Sequence, residues 1–308
     1  MATDTHARRR DPAGSVPGAP PAKSVKDKVT SRLRGRPGKR PAYWAGLGAA
    51  LWLVVVAIPL YFLLATSFRG SGDYMSQGPL AIPETLTFDN YVNVFEVGFL
   101  GFLANSLIVA LGAVGLVLLV AVPAAFGIVR SRSRAVATTF SLFLLGLAVP
   151  AQAVIIPVYL LITRMNLYDT LIAVILPTAA FSLPISILVL TSSLRDVPGS
   201  LYEAMALDGA TTWQVFLRLV LPLSRPGVMT VAIFVGLNAW NNFIFPLVLT
   251  QTESTRVLPL GLWAFQSQYG TDVPGLMAAV VLSSLPILAL YLFGRRQLLG
   301  GLAAGFGK

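Results

Sequence analysis

The sequence predicts an all-α, polytopic membrane protein with six transmembrane helices. Three observations predict it. Of 308 residues, 55% are hydrophobic and 12% charged, with a mean hydropathy of +0.73, too little polar surface for a soluble globule of this length. Six windows, 41–68, 97–129, 135–163, 170–194, 226–252 and 273–294, contain no Asp, Glu, Lys, Arg or His. Each exceeds the roughly 20 residues that carry a helix across about 30 Å of hydrocarbon. Helices are expected because such a segment satisfies its own backbone hydrogen bonds in lipid. The third observation is that basic residues fall almost entirely on one set of alternating connections.

Residues 1–42 form the first region. They hold eleven Lys or Arg against three Asp, with many Pro and Gly and no apolar period, the composition of a disordered basic arm. Arg8–Arg10 suggests a twin-arginine export signal, but the apolar region begins about thirty residues later, whereas a signal's follows closely. A tail near anionic headgroups fits better. Residues 43–98 follow, with the first span and an extracytoplasmic segment. That span is too long for a cleavable signal, whose apolar region is about 7–15 residues.

The tail's basic residues, Arg130, Arg132, Arg134, Arg195, Arg218, Arg225, Arg295, Arg296 and Lys308 make twenty on the N-terminal side of the membrane. Only Arg69, Arg164 and Arg256 fall opposite. The positive-inside rule then predicts that both termini and the segment 195–226 are cytoplasmic. The net charge of +10 is thus topological, and no nucleic-acid partner is expected. With no cysteine and a single histidine, His6, no disulfide, metal or redox site is expected. The spans also lack the ionisable relays usual in self-contained secondary transporters and pumps. Energy must therefore enter from elsewhere.

Prolines at 59, 123, 150, 157, 177, 184, 246 and 286 lie in the windows. They mark either bent helices around a cavity or the ordinary frequency of proline in membrane helices. In the fifth window Asn238, Asn241, Asn242 and Phe245 have the spacing of one helical face, with Trp240, Phe243, Ile244 and Leu247 on another. Amides beside aromatics suit a neutral polyhydroxylated ligand, and equally serve bonding between helices. Gln152 is a further candidate for the substrate path. Asn105 and Ser106 are expected to bond between helices.

The segment from Asp196 to Pro226 is the long polar-bearing interruption of the second half. Apolar residues recur at helical spacing before Gly209 (Leu201, Ala204, Met205) and after it (Trp213, Phe216, Leu217, Val220), which predicts two short amphipathic helices joined by a turn. Pro198 starts the first, Thr211 or Thr212 caps the second, and Pro222 and Pro226 end it. A surface-lying helix would carry Lys and Arg on its polar face; this hairpin carries Glu203, Asp208 and Arg218.

Glu203-Ala204-Met205, then Gly209, then Leu219, Leu221 and Pro222 resemble the EAA loop of ABC importer permeases, with Met205 for the second alanine and Leu219 for isoleucine. The likeness spans residues 43–308 through FDNYVNVF (88–95), NSLIVA (105–110), VPAQAVIIPVYLL (149–161), LDGATTWQVFLRLVLPLSRPG (207–227), AWNNFIFPLVLT (239–250) and the ending GGLAAGFGK. It points to carbohydrate-uptake permeases of the maltose type, the shorter six-span partner. Members often carry an acid where Asn242 stands.

The resemblance implies a type I ABC importer permease fold in the bacterial cytoplasmic (inner) membrane. The core would be 99–297 with the coupling loop 195–226, and 298–308 a cytoplasmic tail. It also implies a second, dissimilar permease, two ATP-binding subunits that hold ATP and Mg, and an extracytoplasmic sugar-binding protein. Glu203, Ala204, Met205, Asp208, Gly209, Leu219, Leu221 and Pro222 would couple to the ATPase subunit; Trp263, Phe265 and Tyr269 lie in the loop that would reach the binding protein, or anchor at the interface. No Gly-x4-Gly-Lys-Ser/Thr phosphate loop occurs, so no catalytic residue or cofactor is expected in this chain. The solute would be a neutral di- or oligosaccharide, with a polyol or glycerol phosphate as the alternative. A scaffold without transport would leave the hairpin unexplained.

Overall fold

The computed structural model describes residues 43–78, 81–267 and 270–306; the tail 1–42 and Tyr269 lie outside the described residues. Contacts divide the chain into two units, 1–57 and 58–308. The described part of the first, 43–57, is the beginning of helix α1 (Tyr43–Ser67).

In the second unit, α1 ends where Asn90 Nδ2 donates to the carbonyls of Ser67 and Arg69 at 2.9 and 2.7 Å, groups the helix leaves without internal partners. Arg69 is fully buried and donates to the carbonyls of Gly78, at 2.7 Å, and Ala81. Two short helices follow, α2 (Ser71–Gln77) and α3 (Asp89–Glu96), and then α4 (Phe99–Arg130). At 1.5 Å per residue α4 is about 48 Å long, more than a bilayer's hydrocarbon thickness.

The core is laid along α4. Ala113, Val117, Ala121 and Ala125 recur every fourth residue and are fully buried. Small residues at that spacing let another backbone approach closely, the means by which helices associate where lipid supplies no hydrophobic drive. Against the stripe pack α7 (Leu171–Arg195), through Ala179, Ile187, Leu190 and Leu194, and α11 (Arg225–Trp240), through Val231 and Val235. α14 (Val273–Phe306) packs on α11.

Among the described residues, four helices are long and apolar enough to span, in windows one, two, four and six. The third and fifth windows are not single helices. The third consists of α5 (Arg134–Leu144) and α6 (Ile155–Arg164) joined by 3₁₀ turns, and bends by 93° between Ala148 and Ala151. Pro150 is the reason: it is extended, with φ −69° and ψ 134°, and biases Val149 away from the helical region. The fifth consists of α11 and α12 (Ile244–Leu249) with a break at 241–243. Pro59, Pro123, Pro177, Pro184 and Pro286 lie inside unbroken helices.

Opposite the end that carries Arg130, a hydrogen-bonded lattice fixes the connection after α12. Asp169, with φ +60°, accepts from the amides of Gln251 and Thr252 at 2.8 and 3.1 Å and from Thr255 Oγ1 at 2.6 Å. Those bonds, the Gln251 amide foremost, hold its carboxyl well below the usual carboxylate range. Asn105 donates to the carbonyls of Ser254 and Arg256, and Ser106 accepts from the Leu258 amide at 2.8 Å. Ser106 thus bonds between helices, α4 to the first residue of the helix Leu258–Gly261, as the sequence leads one to expect, whereas Asn105 bonds carbonyls of the connection instead. After α13 (Leu258–Gly261), β1 (Gln266–Ser267) and β2 (Gly270–Thr271) pair antiparallel, Gln266 opposite Thr271, and lead into α14.

Candidate functional site

Two places gather the residues singled out in the sequence: the exposed hairpin that follows α7 and the break that ends α11.

The hairpin opens with α8 (Gly199–Leu207). Its end is a Schellman closure. Gly209 has φ +72°, its amide bonds the Ala206 carbonyl at 3.1 Å, and the Ala210 amide bonds the Met205 carbonyl at 3.0 Å, which satisfies two carbonyls the helix leaves open. Thr211 is the cap of α9 (Thr212–Val215), and with Gln214 it forms a capping box. Pro222 does not end the second helix. Residues 216–220 widen into a π turn, with Leu221 N–H reaching the Phe216 carbonyl, and α10 (Leu221–Leu223) runs through the proline. The wider turn relieves the clash of the Pro222 ring with the carbonyl four residues back. A 70° bend at Ser224 separates α10 from α11, whose first turn takes Pro226.

The hairpin is rooted by aromatic contacts. Phe216 is buried 5.6 Å from Phe126, Trp213 stacks on Phe216 at 5.4 Å, and the Arg130 guanidinium lies 4.8 Å from the ring centre of Tyr202. Burial pushes the Tyr202 phenol up, against Arg130, and its Oη has no hydrogen-bond partner. The outer face is exposed: Glu203, Ala204, Asp208, Gly209, Leu221 and Pro222, with Leu207 at 89% and Trp213 at 65% exposure. Met205 and Leu219 are half-buried. A polypeptide does not leave so much leucine and tryptophan beside two carboxylates on a projecting turn without something to cover them.

The second place is a cavity of about 710 Å³ between α7, the α5–α6 bend and the α11 break, lined among others by Thr178, Phe181, Ser182, Phe234, Asn238, Asn241, Asn242, Phe243 and Phe245. The three asparagines and Phe245 therefore meet, though not as one helical face: the helix stops at Trp240, and Asn241 is its C-cap. Pro246 causes this. It cannot continue a helix whose carbonyl four residues back is that of Asn242, and is accommodated in the first turn of a new one. Asn238 and Asn241 turn their Nδ2 back to the carbonyls of Phe234 and Leu237, at 3.4 and 2.8 Å. Asn242 donates to Thr178 Oγ1 at 2.9 Å and accepts from the Phe245 amide at 3.3 Å. Phe245 is buried, 5.6 Å from Phe181.

Gln152 is exposed and does not line this cavity. Of the loop aromatics, Trp263 is half-exposed and packs edge-on to Phe243 at 5.5 Å, while Phe265 is buried in the core. Thr178 and Ser182 were not among the sequence candidates. Their signal is the hydroxyl series 178, 182, 186, one per helical turn in an apolar span, each serine donating to the carbonyl four residues back.

Comparison with known proteins bears on both places. The profile of the family described as "binding-protein-dependent transport system inner membrane component" matches residues 117–298. The chain belongs to this family. The permease is 38% identical over 267 residues (87% of this chain, 97% of the relative) to a putative ABC transporter permease of Caldicellulosiruptor sp.. It is 33% identical over 258 residues to a diacetylchitobiose uptake system permease of Streptomyces coelicolor, covering 83% of this chain and 85% of that one. It is 32% identical over 263 residues to an arabinooligosaccharides transport system permease of Halalkalibacterium halodurans, covering 84% and 94%. A solved bacterial ABC transporter involved in the import of the acidic polysaccharide alginate shares the fold: TM-score 0.73 at 17% identity, covering 90% of this chain and 99% of that one.

The permease is thus a multi-pass component of the cytoplasmic membrane, of a transporter class rather than an enzyme class. Its family serves transport that depends on a binding protein. Among the described residues no group of His, Cys, Asp or Glu is placed to hold a metal. Both the hairpin and the asparagine break lie inside the matched stretch.

Proposed function

We propose that this chain is the permease subunit of an ABC importer for a sugar, a neutral di- or oligosaccharide handed over by an extracytoplasmic binding protein. The segment 195–226 is its coupling loop. Both termini and this loop face the cytoplasm in this reading, which the distribution of Lys and Arg supports. A second, dissimilar permease completes the pathway, and two ATP-binding subunits hold ATP and Mg and hydrolyse it in trans.

The observation that carries the reading is the hairpin itself: a doubly capped pair of short helices that projects Glu203, Leu207, Asp208 and Trp213. It is built to enter a complementary cleft. Glu203 supplies one charge to a cationic partner, Gly209 the turn, and Ala204 and Ala206 the close approach. Sugar is supported by the relatives named for diacetylchitobiose, arabinooligosaccharides and glucose. Glycerol phosphate is disfavoured, because no cation among the described residues lines the cavity.

Purification of the chain from mild detergent is expected to recover a second permease and a nucleotide-hydrolysing subunit. In vesicles holding the whole transporter, Glu203→Lys is expected to lower ATP-driven sugar uptake several-fold without altering insertion. Wild-type uptake by this variant would overturn the coupling role.

A further inference from the structure

The break at 241–243 has a chemical content beyond its shape. We infer that Asn238 and Asn241 of this subunit contact the passing solute directly, as a neutral saccharide station in the membrane. The inference rests on the reading of the chain as a sugar permease.

The hydrogen bonds around the cavity separate the three asparagines. Asn242 is committed on both sides of its amide, to Thr178 Oγ1 and to the Phe245 amide. It is a positioning residue that ties the break to α7. Asn238 and Asn241 each spend one N–H on the carbonyl four residues back. That bond fixes the amide against its own helix and leaves its oxygen, together with the second N–H, without a partner among the described residues. Both side chains are exposed to the cavity. Two amides each offering an acceptor and a donor match a hydroxyl pair, which does both.

The rest of the lining fits the same class. Phe181, Phe234 and Phe243 supply aromatic surface for the C–H faces of a sugar ring, and the volume of about 710 Å³ is of the size of sites for small molecules. Among the described residues, none that lines the cavity is charged. The C-terminal end of α11, where the last carbonyls of a helix lack internal partners, adds partial negative charge. An acidic sugar would find no counter-ion here. Amides whose only task was to hold helices together would bond across to another helix; these two bond back to their own, and only Asn242 bonds across.

The absence of cysteine from the chain makes the test direct. The complete transporter, with its partner subunits and binding protein, is reconstituted in vesicles and offered diacetylchitobiose, arabinobiose and glucose. Uptake of none of them by the wild type would overturn the sugar reading itself, and with it this inference. With a transported sugar in hand, the Asn238→Ala/Asn241→Ala variant is expected to lower the sugar moved per ATP hydrolysed about tenfold, the worth of two modest hydrogen bonds. An unchanged ratio would return the amides to helix packing. Independently, Asn238→Cys and Asn241→Cys, made singly, are expected to react with a water-soluble maleimide, and more slowly while the sugar is being transported. A labelling rate indifferent to sugar would overturn the station, as would thiols that never react because the partner permease covers them.

Discussion

Replacement of Gly209 tests the proposal that the hairpin passes force to the membrane helices, and that it does so by its shape rather than its composition. The backbone there has φ +72° and a Cβ would meet nothing within 4 Å, so any effect of substitution is conformational and not steric. An L-residue in that region costs roughly 1–2 kcal/mol. Gly209→Ala is therefore expected to shift the closed hairpin toward open forms by about fivefold to thirtyfold. Proline does far more, because its φ is fixed near −65°. It removes the N–H that bonds the Ala206 carbonyl, opens the neighbouring bond from Ala210 to Met205, and disfavours the near-helical conformation of Asp208. Two hydrogen bonds at about 1 kcal/mol each on top of the lost turn give at least about 3 kcal/mol, more than a hundredfold.

The assay is ATP-driven sugar uptake in vesicles against permease content of the same membranes. The expected order is wild type, then Gly209→Ala, then Gly209→Pro close to background, with equal insertion throughout, since the hairpin lies outside the spans. Gly199→Ala, at the start of the helix that Gly209 closes, with open space around it and no positive φ, should leave uptake unchanged. Wild-type uptake by Gly209→Pro would refute the reasoning.

Two further outcomes follow from groups outside the spans. The folded-state pKa of Asp169 is depressed, so its contribution to stability is present above the unfolded value of about 3.9 and is lost as pH falls toward the folded one. Asp169→Asn is expected to lower the melting temperature of the detergent-purified permease at pH 7, by about 1 kcal/mol in stability given the partial exposure of the site, and to flatten the loss below pH 4; identical acid limbs for wild type and variant would contradict the bonding seen. Tyr202 is buried with an unpaired Oη, so Tyr202→Phe should be neutral or stabilise the isolated permease by up to about 1 kcal/mol, whereas a clear loss of melting temperature would show that the hydroxyl is bonded.

The sequence was most legible where the physics is one-dimensional. Counting uncharged residues located α1, α4, α7 and α14, because hydrocarbon thickness sets helix length without regard to neighbours. The hairpin was legible for a related reason: its caps, the left-handed glycine and the apolar period are local signals, and Gly209 and Thr211 carry them alone. Pro222 was misleading because a wider turn ahead of a proline removes the clash that would end the helix, and the π turn at 216–220, where Phe216 packs on Phe126, has no local sequence signal. The fifth window failed for the opposite reason. Its spacing put Asn238, Asn241, Asn242 and Phe245 on one face under the assumption of unbroken helix, yet Pro246 restarts the helix and the same four residues meet through the break. Gln152 lies beyond the 93° bend at Pro150, which no periodicity in the third window announces.

The two sites are connected by construction. α7 enters the hairpin at Arg195 and α11 leaves it after the bend at Ser224. At that end the two helices touch so closely that a Cβ on Gly227 would lie 2.7 Å from Ser193 Oγ. Further along the same pair, Asn242, just beyond the end of α11, bonds Thr178 of α7. A helix in a close-packed bundle moves as a rod, since its interior does not deform continuously. With the rods in contact near Gly227, a displacement of the hairpin that tilts α11 against α7 acts about a pivot at that contact and is felt at the far ends, where the Thr178–Asn242 bond and the amides of Asn238 and Asn241 line the cavity. The polar break is thus where a displacement of the hairpin, if it tilts α11 as proposed, would have its longest lever arm.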